Sequence, residues 1–95
     1  MNNNVVNFDF PSFFNDKLKE RGYTLKRVAE LSGIAVRHLE NMSEGKFAAL
    51  PSAPYVHGYL VKLGELLDFD GEMWWKYLEE TGSLNRSGPA DELPK

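Results

Sequence analysis

The stretch from Thr24 to Glu44, TLKRVAELSGIAVRHLENMSE, constrains the rest of the chain more than any other. Leu25, Val28, Ala29 and Leu31 recur at helical spacing, Ser32-Gly33 interrupts them, and Ile34, Val36, Leu39 and Met42 resume the same period. This pattern predicts a helix, a tight turn and a second helix. Thr24 is placed to cap the first helix by accepting a backbone N–H bond, Ala29 is small enough for the second helix to cross closely, and Gly33 enters positive φ at little cost. These are the parts of a helix-turn-helix.

The flanking sequence supplies three further helices. The first is expected behind Pro11 with Ser12 as its cap, running through FFNDKLKER to Gly22 and burying Phe14 and Leu18. Tyr23 is expected to cover the joint to the next helix. After Gly45, the connection KFAALPSA has Phe47 and Leu50 spaced to pack back on the core. A fourth helix starts at Ser52 or Ala53 ahead of Pro54, with Val56, Tyr59, Leu60, Leu63, Leu66 and Leu67 as a wide apolar stripe. Gly58 and Gly64 within it each cost about 1 kcal/mol of helix propensity, which predicts close approach by another helix. Asp70 caps a fifth helix, GEMWWKYLEET, in which adjacent Trp74 and Trp75 point about 100° apart, so one is core and the other partly exposed.

The expected fold is therefore all-α, a compact five-helix domain around a helix-turn-helix core. At 95 residues and 42% hydrophobic content there is room for one domain. Its expected bounds are residues 11–81, with 1–10 a loosely tied segment from which Phe8 and Phe10 dock, and 82–95 a polar tail or linker.

Composition narrows the function. Cysteine is absent, which excludes thiolate metal sites and disulfides, and the two histidines, His38 and His57, lie on different helices without an i, i+4 partner, so no metal is expected. No cofactor is expected either. There is no glycine-rich phosphate loop and no HExxH, and Ser12, Ser32, Ser43 and Ser52 have no acid–base pair in a recognisable motif, so the chain reads as a non-enzyme. No signal peptide and no membrane span are evident, and a cytoplasmic location is the expectation. A membrane connection would need a span outside these residues.

Net charge is −3, which argues against binding a polyanion by bulk attraction. Residues 24–46 carry a net +1 and residues 47–80 a net −4, so only the helix-turn-helix half suits phosphate. For a DNA-binding role the candidates are Lys26 and Arg27 for phosphate, and Arg37, His38 and Asn41 for base edges in the major groove. Glu40 and Glu44 on the same short helix face a polyanion unfavourably.

Helix 1 followed by GYTLKRVAELSGIAVRHLENMSEGKFAALPSAPYVHGYLVKLGELLDFD resembles the cytoplasmic domain of the RodZ family of bacterial cell-shape proteins, within the lambda-repressor-like group. The helix-turn-helix is shared with many repressors; Glu44-Gly45, the FAALP connection at Phe47–Pro51 and the YVHGYL segment at Tyr55–Leu60 carry the likeness further. The resemblance implies a protein partner, an actin-like filament protein of the MreB type, docked through helix 4. By position it carries Tyr55 and Tyr59 over as contacts, with His57 and Lys62 on the same helix as further candidates. His57 stands where relatives often have a basic residue. Tyr55 and Tyr59 are four apart and share a helix face, which fits a contact pair and equally fits Tyr59 as core.

Overall fold

The computed structural model describes residues 9–84, and among them the only regular elements are helical. They are α1 (Phe10–Arg21), α2 (Leu25–Ser32), α3 (Val36–Ser43), α4 (Ala53–Leu67) and α5 (Gly71–Glu80), with a 3-10 turn at Phe47–Ala49 before α4. The predicted five helices are all present.

Capping decides most boundaries. Thr24 Oγ1 accepts from the Arg27 N–H at 3.0 Å and Asp70 Oδ1 from the Met73 N–H at 3.0 Å, as their sequence positions predicted. The start of α1 differs from expectation. Asp9, not Ser12, is the cap, its Oδ1 accepting the Ser12 N–H at 2.9 Å. Proline is tolerated anywhere in a first turn because its missing N–H has no helical partner there, so Pro11 did not bar a helix from starting at Phe10. Phe10 is consequently a core residue, 1% exposed. The packed body thus starts one residue before the expected boundary and extends to Leu84, which is also buried. Phe8 and the rest of both terminal segments lie outside the described residues.

Gly33 makes the turn between α2 and α3 at φ 80°. Ser32 is drawn into the interior there, its Oγ accepting the Ile34 N–H at 3.1 Å, and Ile34 is buried although it precedes α3. Two apolar residues assigned to the inner faces are instead exposed, Leu31 and Val36. Each helix has only eight residues, and the inward positions are Val28 and Ser32 on α2 and Leu39 and Met42 on α3. Leu31 and Val36 lie roughly a quarter-turn off those faces at 100° per residue.

The core gathers Phe10, Phe14 and Leu18 of α1, Val28, Ile34, Leu39 and Met42 of the helix-turn-helix, and Val56, Leu60, Leu63 and Leu67 of α4. Trp74 and Leu78 of α5 complete it, and Leu50 closes it from the connection. Asn15 ties α1 to the end of α3, its Nδ2 donating to the Pro11 and Ser43 carbonyls at 2.7 and 3.1 Å. The α4–α5 pair is the most intimate in the fold. A Cβ on Gly64 would overlap the Phe69 carbonyl oxygen, so the close approach predicted for this glycine is real. Gly58 is different. A Cβ there would meet nothing within 4 Å, so no helix packs against it.

Candidate interaction site

Residues at i, i+3, i+4 and i+7 share one face of a helix, and on α4 this set is Tyr55, Gly58, Tyr59 and Lys62. The face borders the turn between α2 and α3. Ser32, Gly33 and Ile34 form one wall of a groove of about 390 Å³; Pro54, Tyr55, Gly58, Tyr59 and Lys62 form the other. Tyr55 stands on the rim, 61% exposed, the most exposed large apolar side chain among the described residues. Tyr59 is half-buried and packs against the core, so it is both wall and packing. Lys62 is exposed and the single charged residue in the lining.

His57 does not join this group. Its ring stacks on Trp75 of α5 with centroids 4.7 Å apart and planes 14° apart, and its Nε2 lies 2.8 Å from Glu72 Oε1. One residue before Gly58 it is rotated by a helical step of about 100° onto the α5 side. It braces α4 against α5. Trp75 is half-buried beneath it and Trp74 is fully buried, the division that their adjacency required.

The candidates for DNA contact differ in how far they are engaged within the domain. Lys26 and Arg27 are exposed at the start of α2, where Arg27 Nη1 pairs with Glu30 Oε1 at 3.2 Å. Arg37 is exposed on α3 and Asn41 is half-buried, its backbone carbonyl accepting the Lys46 N–H at 2.8 Å. His38 turns toward α4 and stacks on Tyr59, centroids 5.7 Å apart and planes at 27°. Its Nδ1 is sealed from solvent without a hydrogen-bond partner among the described residues. The stack joins α3 to the groove wall.

Burial, and then the adjacent Arg37 charge, lower the His38 pKa from its ordinary 6.5. Folded His38 therefore binds its proton less readily than the unfolded chain does. Its contribution to stability is complete above pH 6.5 and is lost as pH falls from there through the folded pKa. Denaturant midpoints measured at about pH 7.5 and about pH 5.5 are expected to fall further in the wild type than in His38→Phe, which keeps a ring on Tyr59 but cannot titrate. Equal falls in the two proteins would contradict the assignment.

The short α2, the glycine turn, and α3 crossing over it make this a helix-turn-helix protein. Residues that sequence reasoning did not select, Pro54 and Gly58 on α4 and Ser32 and Ile34 on the turn, prove to line the groove. The profile of a family described as helix-turn-helix domain matches residues 19–74, which is more than half of the chain, and the chain belongs to that family. No curated protein and no solved structure matches it.

Proposed function

We propose that this helix-turn-helix domain is a non-enzymatic protein-docking module whose contact surface is the groove between α4 and the α2–α3 turn. The observation that carries the reading is the placement of Tyr55, 61% exposed on the rim of that groove, with Tyr59 in its wall. Tyrosines set in this way combine a large apolar area with a polar tip and are enriched among the residues that dominate interface energetics. The RodZ resemblance supplies the partner, an actin-like filament protein of the MreB type, and a cytoplasmic location goes with it.

Reading DNA through α3 has less support. His38 is engaged with Tyr59, Arg27 with Glu30, and the exposed surface of α3 and its C-terminal cap sets Glu40 and Glu44 beside Arg37. A protein that neutralises several phosphates loses affinity steeply with salt.

The test is binding of the domain to a purified MreB-type filament protein. Tyr55→Ala is expected to weaken it by about 30-fold, the effect of losing a hot-spot aromatic of about 2 kcal/mol, and Tyr55→Ala with Tyr59→Ala to abolish it. Tyr55 is exposed, so the single variant keeps its helical circular dichroism. Undiminished binding by the folded single variant removes the groove from the interface. Salt-sensitive binding to a DNA duplex that is lost in Arg37→Ala replaces the reading with the α3 alternative.

A further inference from the structure

Gly58 is a helix-interior glycine that the domain's own packing does not explain. The other two glycines of the α4–α5 pair, Gly64 and Gly71, sit where a Cβ would strike backbone, whereas at Gly58 it would project into open space. Glycine in a helix interior is disfavoured relative to alanine, and here nothing inside the molecule offsets it. Gly58 also lines the groove, between the exposed Tyr55 and the half-buried Tyr59. Without a side chain the floor between the two rings is bare backbone, open to whatever is laid across it.

The electrostatics of the groove select among occupants. Lys62, one turn beyond Gly58, is exposed and forms no ion pair among the described residues. No acidic side chain is in the lining to compete for it. The remaining surface is the faces of Tyr55 and Tyr59, Pro54 and Ile34. From this charge complementarity and the bare floor we infer that the groove takes a segment of a partner protein presenting an apolar side chain beside a carboxylate. The apolar side chain lies over Gly58 between the tyrosines, and the carboxylate pairs with the Lys62 ammonium. This rests on the groove being a protein-docking surface, and it specifies the chemistry of the partner there.

A random linear peptide library displayed on phage and panned on the full 95-residue chain tests the inference without any assumed partner. Peptides pairing an apolar residue with Asp or Glu are expected to be enriched, and selection on Lys62→Glu is expected to replace the acid with Lys or Arg. Gly58→Leu fills the floor from a position whose Cβ meets nothing within 4 Å, so it is expected to retain Tm while losing at least about tenfold in affinity for the winning synthetic peptide, a change of 1.4 kcal/mol. Enriched peptides without a carboxylate, or a selection indifferent to Lys62→Glu, overturn the ion pair. No enrichment at all, or unchanged affinity in Gly58→Leu, overturns the groove as a site for a peptide segment. A concentration-dependent dimer that is lost in Tyr55→Ala makes a second copy of this chain the occupant and likewise overturns the inference. Failure of the MreB-type protein to bind, with the acidic peptides still selected, overturns the filament partner alone.

Discussion

Replacing Gly71 with alanine is expected to destabilise the domain by about 3 kcal/mol or more, the upper end of what overpacking a well-packed interior costs. Gly71 opens α5 and is buried against α4, and its Cβ would overlap the Leu60 carbonyl oxygen and come within 2.9 Å of the Val61 Cα. Both obstacles are backbone in the middle of a helix. A side chain can rotate out of the way, but a helical carbonyl moves only if the helix moves, so α5 must separate from α4 along its length. Native stabilities of small domains are about 5–15 kcal/mol, and a loss of this size lowers Tm by more than about 10 °C. Thermal unfolding followed by circular dichroism measures it. Gly58→Ala, on the same helix pair, is expected to shift Tm upward, because it gains up to about 1 kcal/mol of helix propensity and its Cβ meets nothing. A Gly71→Ala protein melting within about 2 °C of wild type would mean the α4–α5 approach is looser than described.

The two glycines inside α4, Gly58 and Gly64, also mark how far the sequence could be read. Gly58 and Gly64 look alike in a sequence, since each interrupts an amphipathic helix at a cost that invites a packing explanation. That explanation holds for Gly64 and fails for Gly58, because only the path of the next helix decides which side of α4 is approached. Local chemistry was legible at the helix-turn-helix and at α5: Thr24 and Asp70 cap through their own oxygens, and Gly33 turns at φ 80°. Periodicity located the buried faces of α1 and α4. It failed at Leu31 and Val36, because two turns of helix define a face too loosely for a residue at its margin. The position of α1 failed for a different reason: Asp9 and Ser12 are both competent caps, and the choice between them depends on Phe10 having a cavity to fill. The candidate residues on α4 were legible as a helix face but not as a groove. Tyr55, Tyr59 and Lys62 share α4, whereas the opposing wall comes from Ser32, Gly33 and Ile34 more than twenty residues earlier, and His57 leaves the set because α5 offers Trp75 and Glu72.

Trp74→Ala is expected to cost about 4 kcal/mol, within the range of about 3–5 kcal/mol for removing a buried aromatic, and to leave the domain substantially unfolded near physiological temperature. Trp74 is fully buried where α5 meets α1. Its ring lies 5.2 Å from Phe10 at 76° and 5.0 Å from Phe13, and Tyr77 stands edge-on to it at 5.5 Å. Phe10 in turn stacks on Phe14 at 5.2 Å and meets Phe47 and Phe69 edge-on, so one cluster joins α1, the 3-10 turn, the α4–α5 connection and α5. Losing the indole opens a cavity at the point where these segments converge, and no one of them can collapse into it without dragging the others. Urea denaturation gives the loss directly, and Trp74→Phe, which keeps an aromatic ring, is expected to recover more than half of it. The groove provides the contrast. Tyr55 and Lys62 lie on the outward side of α4, away from this cluster, so Trp74→Phe at a temperature where it is fully folded is expected to bind the proposed partner with wild-type affinity, while Tyr55→Ala is expected to show its roughly 30-fold weakening with no loss of stability. That separation is what a rigid helical frame supporting an exposed docking edge requires. If Trp74→Phe instead weakened binding while fully folded, the α5 side of the domain would belong to the interface, and the His57–Trp75 stack would be the place to look for it.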